Sequence, residues 1–345
     1  MITKLEIVGF RGHEHRVLDG LGRINLLVGP NNAGKTAVLD AVELIVRDGH
    51  PQAILEQTNA RGGPSPKGQQ LPLTVRHLFF GHAKGAEASF TLKSSGEPDR
   101  TIRVDFTDKY ADTQIKGTGT IAITRDGLKP HTVGVGNSST GGGDPNPRAR
   151  ASRVERIEPG PPDEAELHRL WGDIVGNPSE ETVVEALRLV DPKLDRVVFA
   201  PAMPANGGAG AEPGPIYVRR SDEVERIPLA TLGEGVRRML SLAIHLVSAK
   251  GGTLLVDEID DGLHFRVMRS LWGFLITEAR RLDVQVFATT HSADCVSALG
   301  WVHRLGDDPL DDVSALRVDP DRKIAAHYSA DELDTAVEGT IEVRG

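Results

Sequence analysis

Residues 29–36, GPNNAGKT, carry the strongest chemical signal in the chain. They satisfy Gly-x-x-x-x-Gly-Lys-Thr between the apolar run INLLV and a segment of helical character. Glycines let such a backbone wrap around phosphates, and amides at a helix start point towards an anion. In this pattern Lys35 reaches the β- and γ-phosphates of a nucleotide, and the Thr36 hydroxyl ligates Mg²⁺. The residues predicted to contact nucleotide are Gly29, Asn31, Asn32, Ala33, Gly34, Lys35, Thr36 and Ala37.

A second apolar run, TLLV, ends in two carboxylates, Asp257 and Glu258. Side chains at the carboxyl edge of a strand face the crevice where doubly wound sheets bind ligands. Asp257 is expected to hold magnesium through water, and Glu258 to orient and deprotonate an attacking water. The alternative is a pair of solvated acids that end a strand. Together with residues 29–36, the pair predicts nucleotide hydrolysis.

Two further turns carry polar groups. FATTHS places His291 at another strand end, where an imidazole can sense or stabilise a γ-phosphate, although a single histidine is often structural. TLGEG is a glycine-containing turn before a helix and contributes Gly233, Glu234 and Gly235. Because one helix start holds one phosphate tightly, a second such turn suggests recognition of nucleotide in another subunit. The alternative is a glycine cap before a core helix.

Alternating and apolar patterns predict the elements that position these residues. Strands are expected at 2–8 and 24–28, followed by a buried helix at 35–48. Four short β-rich segments predict an antiparallel meander: 88–92, 101–106, 121–124 and 131–135. Helices are expected at 163–171, 179–190, 235–249, 262–281 and 292–299. The last third alternates helix and strand, the rhythm of a mostly parallel sheet.

Composition excludes several classes of protein. The 345 residues have a formal net charge of −9, which argues against a protein coated in basic charge. One cysteine, Cys295, excludes an internal disulfide and a cysteine-based zinc site. No apolar stretch approaches the roughly 20 residues that span a bilayer, and the N-terminus lacks a secretion signal. The sequence therefore predicts a cytoplasmic protein with no membrane partner.

These motifs in this order resemble the ABC-type P-loop ATPases, specifically the stand-alone bacterial AAA-family ATPases related to RecF, SMC proteins and OLD nucleases. The resemblance rests on FRG (10–12), GPNNAGKT, LGEG, LLVDEIDDGLH, TTHS and the ending EGTIEVR. It identifies GPNNAGKT as the Walker A loop and LGEG as the ABC signature. LLVDE is then the Walker B strand, DDGLH the D-loop, and His291 the switch histidine. It also implies that Arg11 lies near the nucleotide.

The resemblance implies an α/β fold: a P-loop NTPase ABC-ATPase head with a mixed sheet, flanking helices, an antiparallel β subdomain and a helical insertion. The whole chain, 1–345, is then a single head. Its nucleotide-binding core comprises 1–50 and 216–345, its β subdomain 73–135, and its loop and helical insertion 136–215.

The family implies ATP and Mg²⁺ as cofactors and a homodimer that closes around two ATP molecules. The leading hypothesis is an ATPase that acts as a switch for a separate effector, such as a nuclease, in phage defence or DNA maintenance. No fused Toprim nuclease is expected, because only about 50 residues follow His291. The alternative is a RecF-like DNA clamp with little hydrolysis, in which the arginines of RARASRVER (148–156) contact DNA. A solvated charged segment is the simpler interpretation of that run.

Some features depart from the family pattern or stay open. Gly233 stands where transporter signatures have a serine, and Thr231 is a candidate substitute. The lid glutamine that contacts magnesium is unassigned among Gln52, Gln57, Gln69 and Gln70. DDPLDD (307–312) is acidic, but it reads better as a solvated turn than as a metal site. A transporter subunit and a GTPase are disfavoured, the latter because no guanine-reading motif is present.

Overall fold

The structure, a computed structural model, describes residues 1–61, 75–82, 87–96, 98–108, 119–135, 153–201, 203–204, 211–305, 311–329 and 332–333. The chain divides into two units. Unit one contains the described residues of Met1–Val154 and Asp312–Ser329, and unit two contains those of Glu155–Asp311 together with 332–333. Among the described residues no helix is long and apolar enough to cross a membrane.

The described strands are β1 (Ile2–Phe10), β2 (His13–Asp19), β3 (Ile24–Val28), β4 (Glu87–Gly96), β5 (Arg100–Asp108), β6 (Gly119–Arg125), β7 (His131–Val135), β8 (Val154–Ile157), β9 (Leu194–Phe199), β10 (Met203–Pro204), β11 (Ala211–Glu212), β12 (Ile216–Arg220), β13 (Ile227–Pro228), β14 (Thr253–Val256), β15 (Gln285–Thr290), β16 (Val313–Arg317) and β17 (Ala326–Ser329). The described α-helices are α1 (Lys35–Val46), α2 (Pro51–Arg61), α3 (Glu164–Trp171), α4 (Ser179–Arg188), α5 (Glu234–Ser248), α6 (Met268–Leu282) and α7 (Ala293–Leu305).

Unit one contains an antiparallel sheet in the order β2-β1-β4-β5-β6-β7. Apolar and polar residues alternate along these strands, so that one face is buried, as with Ile102, Val104 and Phe106 on β5. The predicted meander is confirmed as β4 to β7. The N-terminal hairpin of β1 and β2 extends it, because β1 pairs antiparallel with β4.

A second group of strands in unit one leads to the GPNNAGKT loop. β3 runs parallel to β16, and β16 pairs antiparallel with β17. All five residues of β3 are buried, which matches the continuous apolar run INLLV. Helix α1 follows the loop and buries every residue from Ala37 to Ile45, so the loop is held between two rigid, buried elements.

Unit two carries the parallel pair β14 and β15, with strand order β15-β14-β8. A smaller antiparallel group, β13-β12-β9, contains a hairpin formed by the segments IYVRR and VERIPL. Helix α6 begins at Met268 and not at residue 262 as expected, because Gly262 has a left-handed φ of 69° and a 3₁₀ turn, Phe265–Val267, precedes the helix. The segment that resembles the D-loop is therefore a turn.

Candidate active site

Two glycines of the phosphate loop occupy positions that no other residue fits well. Gly29 has φ 146°, and a Cβ atom there would lie 2.4 Å from the carbonyl oxygen of Val318. Gly34 has φ 90°, and its Cβ would lie 2.5 Å from Cε1 of His13. Since L-residues rarely adopt these backbone angles, the loop needs glycine for its shape as well as for access to phosphate.

The loop residues take the places that the motif predicts. Helix α1 begins at Lys35 with Gly34, which has no side chain, as its N-cap. The Lys35 ammonium donates to the carbonyls of Gly29, at 2.8 Å, and Pro30, at 2.9 Å. Asn31 and Asn32 are exposed, Thr36 is partly exposed, and Ala33 and Ala37 are buried. The polar groups of the loop thus lie at the surface, over a helix N-terminus that favours anions.

His13 on β2 contacts the phosphate loop, and the sequence patterns did not identify it. Its side chain is buried, with Nε2 3.1 Å from the carbonyl oxygen of Gly34, while Arg16 Nε donates to Nδ1 at 3.4 Å. Burial lowers the pKa of His13 to about 4, and the charge of Arg16 acts in the same direction. The ring is therefore neutral at physiological pH, with the proton on Nε2. His13 shares a face of β2 with the partly exposed His15 and Val17, so alternation does not predict its burial, and no local motif links it to the loop.

Arg11, predicted near the nucleotide, lies beside the same helix. Its Nε is 2.8 Å from Oδ2 of Asp40, a buried residue five positions after Lys35 on α1. The side-chain amide of Gln57 donates to the backbone carbonyl of Asp40 at 2.9 Å and to the carboxylate of Glu43 at 3.2 Å. Contact of Arg11 with nucleotide remains a prediction.

Of the four candidate lid glutamines, two can be placed. Gln57 is buried on α2, whereas Gln52 donates to Glu56 in an exposed contact. Gln69 and Gln70 lie outside the described residues. The lid assignment therefore also remains a prediction.

In unit two, Asp257 and Glu258 follow β14 as predicted, and Thr289 at the end of β15 joins them. The Thr289 hydroxyl donates to Oδ1 of Asp257 at 2.6 Å and accepts from the backbone N–H of Glu258 at 2.8 Å. Asp257 is buried, so this hydroxyl fixes the orientation of its carboxylate. TTHS therefore contributes Thr289 to the site as well as His291.

Glu258 has a left-handed backbone, with φ 51°, which costs a non-glycine residue about 1–2 kcal/mol. Arg238 on α5 holds this conformation. Its guanidinium donates to the carbonyls of Asp257, at 2.9 Å, Glu258, at 2.8 Å, and Glu158, at 2.8 Å. Burial lowers the pKa of Arg238, and the surrounding carboxylates, Asp261 first, oppose that shift. Strain held by neighbouring groups is typical of functional sites.

The two residues predicted for hydrolysis lie together. Nδ1 of His291 is 3.8 Å from Oε1 of Glu258, and the two side chains are 51% and 40% exposed. Because Asp257 is buried and Glu258 is half exposed, the neighbouring carboxylates have different environments. The first suits a fixed ligand role, and the second can contact water.

The LGEG turn packs against the segment that resembles the D-loop. Gly233 is the exposed N-cap of α5, and Glu234 is its exposed first residue. A Cβ atom on Gly262 would lie 2.8 Å from Cγ of Glu234, and one on Gly235 would lie 3.3 Å from the Gly262 carbonyl oxygen. Both segments need glycine for this close approach. Thr231 uses its hydroxyl to donate to the Pro228 carbonyl at 2.7 Å.

Other predicted residues fall at the margin of the described chain. Arg148 and Arg150 lie outside the described residues, as do 307–310 and the ending EGTIEVR. Arg153 is exposed. Arg156 pairs with Glu158, and its side chain is 15% exposed.

Comparisons with known proteins agree with these motifs. The AAA domain family matches residues 4–132, and a second AAA domain family, described as a putative AbiEii toxin of a type IV TA system, matches residues 211–296. An "ATP/GTP phosphatase" of Helicobacter pylori is 22% identical over 343 residues, covering 89% of this chain and 90% of that protein. The DNA replication and repair protein RecF of Yersinia pseudotuberculosis is 33% identical over 116 residues, which are 32% of this chain and 28% of RecF.

Among solved structures, an SMC head bound to the C-terminal winged-helix domain of ScpA has the same fold. The TM-score is 0.56 at 13% identity, covering 97% of this chain and 99% of that one. The phosphate loop, the Asp-Glu pair and the strand-end histidine occur in the predicted order on this fold. These matches and this fold support an ABC/AAA-type P-loop ATPase of the RecF/SMC-like group.

Proposed function

We propose that this protein binds and hydrolyses Mg-ATP, that ATP joins two copies of the chain, and that the joined state switches a separate effector. The observation that carries the hydrolysis step is the Glu258–His291 pair, held at the end of β14 by Thr289 and Arg238. A half-exposed carboxylate fixed in this way is suited to orienting a water and accepting its proton.

Each unit carries a group that suits the proposed cofactors. The Thr36 hydroxyl of unit one and the Asp257 carboxylate of unit two are each an oxygen donor of the kind that Mg²⁺ prefers, and such an ion would neutralise phosphate charge. Lys35 and the N-terminus of α1 supply positive potential for the phosphates. Next to Glu258, His291 is placed to stabilise charge that develops on a transferred phosphoryl group.

ATP-dependent pairing is supported by the exposed LGEG turn. Gly233 and Glu234 begin α5 at the surface, so a second helix N-terminus is accessible in a chain with one phosphate loop. In the proposed dimer this turn meets the nucleotide of the other copy. Both copies are then needed for full turnover, and activity per chain rises with protein concentration.

Glu258→Gln tests the hydrolysis step. It keeps the size of the side chain and removes the base, so turnover should fall by roughly 100-fold or more while ATP still binds. Glu164→Gln, an exposed change on α3, is the matched control and should leave turnover unchanged. Turnover of Glu258→Gln close to that of the control contradicts the assigned role.

Sedimentation velocity tests the pairing with the same variant. With ATP retained, Glu258→Gln should sediment as a dimer, and Glu258→Gln combined with Gly233→Trp should stay monomeric. A monomer at saturating ATP for Glu258→Gln itself would refute the dimer.

A role in defence is proposed from the description of the matching toxin family. Cells that express the protein with its native neighbouring genes should resist phage, and Glu258→Gln should abolish that resistance. The separate effector would be encoded among those neighbours. Equal plaque numbers with and without the genes, across a broad phage panel, would count against this role.

The RecF match favours one other function, an ATP-gated DNA clamp with little hydrolysis. This function predicts ATP-dependent DNA retention that falls steeply with salt. Replacing Arg148, Arg150, Arg153 and Arg156 together by alanine should weaken retention, whereas Arg219→Ala on β12 should not. The internal pair of Arg156 with Glu158 argues that Arg156 contributes less than the others.

A further inference from the structure

Three side chains of unit two, which have no part in the proposed ATPase chemistry, converge at a second site. They are Glu155 on β8, Glu166 on α3 and His245 on α5, and their ligand atoms all lie within 4.8 Å of one another. His245 is 3% exposed, whereas the two glutamates are partly exposed. The cluster is therefore anchored in the core and open on one side.

His245 presents an acceptor to this cluster. Its Nδ1 lies 2.7 Å from the backbone carbonyl of Ser241, one turn earlier on α5, so Nδ1 carries the proton and donates it to that carbonyl. The lone pair is then on Nε2, which is buried and has no hydrogen-bond partner among the described residues. Nε2 lies 3.7 Å from Oε2 of Glu166.

This arrangement places acceptors against each other. The Nε2 lone pair and the Glu166 carboxylate repel unless a cation or a proton lies between them. A histidine whose Nδ1–H is held by a backbone carbonyl, with Nε2 directed at carboxylates, has the orientation of a metal ligand.

The distances suit a small divalent ion. Zinc lies about 2.0–2.2 Å from imidazole nitrogen and carboxylate oxygen, so two of its ligand atoms are separated by at most about 4.2 Å. The 3.7 Å between Nε2 and Glu166 falls within that limit. The partly exposed glutamates can close the remaining gap by rotation. One imidazole with two carboxylates favours zinc or a similar transition metal over Mg²⁺ and Ca²⁺, which take oxygen ligands.

We propose that Glu155, Glu166 and His245 form a binding site for Zn²⁺ or a similar divalent transition metal, separate from the magnesium bound with ATP. His245 lies eleven residues after Glu234, about 16 Å along α5 from the LGEG turn. The ion ties α5, which begins at that turn, to helix α3 and strand β8. Its role is structural: it holds the helix that presents the LGEG turn.

Zinc titration of the nucleotide-free full-length protein tests the site, with a chromophoric chelator as competitor. Wild type and the Glu164→Gln control should each bind one tight equivalent of zinc that neither the Glu155→Gln/Glu166→Gln variant nor the His245→Gln variant binds tightly. The zinc affinity of this site should be at least about 10-fold lower in the two ligand variants. Zinc should also raise the melting temperature of wild type and the control, and not that of the two ligand variants.

The glutamate double variant guards against a folding artefact, because both side chains are partly exposed and lie outside the ATPase machinery. Its far-UV circular dichroism and its ATP turnover, measured with magnesium, should match wild type. Equal zinc stoichiometry and equal melting shifts in all four proteins would overturn the proposal and leave a protonated His245 paired with Glu166. Since no ATP is used in the titration, this result is independent of the proposed ATPase function.

Discussion

The buried His13 behind the phosphate loop offers the sharpest test of how the fold holds that loop. His13→Ala removes the partner of the Gly34 carbonyl and of Arg16 Nε, both of which are then left without that hydrogen bond. The Gly34 carbonyl keeps its hydrogen bond from the Val38 N–H, so the cost comes from two lost hydrogen bonds, about 0.5–1.5 kcal/mol each, and from the cavity that the imidazole leaves. We therefore expect the free energy of unfolding to fall by about 2–4 kcal/mol near neutral pH, with weaker ATP binding because the loop loses its support.

The pH dependence of this loss identifies its cause. The pKa of His13 is lowered from 6.5 to about 4 in the folded protein. Between those values the unfolded chain binds a proton that the folded protein does not, so wild-type stability falls as the pH is lowered. At 1.36 kcal/mol per unit, the loss amounts to about 3 kcal/mol by pH 4. His13→Ala lacks this contribution, so the stability gap between wild type and variant should narrow by about that amount.

Urea denaturation from about pH 7.5 to about pH 4, followed by far-UV circular dichroism, measures the gap. His15→Ala is the matched control, since His15 lies two residues along the same strand, partly exposed, and pairs with Glu6 at 3.0 Å. Surface pairs contribute about 0–1 kcal/mol. A gap for His13→Ala that stays constant with pH, or that is no larger than that of His15→Ala, would refute the argument.

Two further substitutions test the phosphate loop of unit one and the Asp257–Thr289 contact of unit two. Gly34→Ala should lower the free energy of unfolding by about 2–4 kcal/mol and abolish ATP binding, because Gly34 has φ 90° and its Cβ would clash with the buried imidazole of His13. Gly233→Ala is the control, since Gly233 has φ −60° and open space around it. In the same denaturation assay its free energy of unfolding should stay within about 0.5 kcal/mol of wild type. Thr289→Val should reduce ATP turnover by about ten-fold or more, because the Asp257 carboxylate loses its hydroxyl donor. Thr277→Val, on the exposed side of α6, is the control. Equal steady-state rates of ATP turnover for the two variants would contradict the role given to Thr289.

Local chemistry made much of the site predictable from the sequence. GPNNAGKT contains its glycines, lysine and threonine within eight residues, and the apolar run before it marks the strand that must precede it. The same holds for Asp257, Glu258 and His291, which directly follow apolar runs and lie at strand ends in the structure. Such patterns depend on neighbouring residues along the chain, so no knowledge of the tertiary fold was needed to find them.

The supporting groups could not be found in this way. His13 is 21 residues from Gly34, and Arg238 is about 20 residues from the two carbonyls that it holds. Neither the left-handed backbone of Glu258 nor the pairing of β1 with β4 has a local signature.

Residue types and spacing over a few positions were enough to predict which residues bind phosphate and activate water. Only the folded chain shows that His13 contacts the phosphate loop, that Thr289 and Arg238 orient Asp257 and Glu258, and that Glu155, Glu166 and His245 lie together. This is because burial and hydrogen bonds between segments that are distant along the chain exist only once folding has brought those segments together.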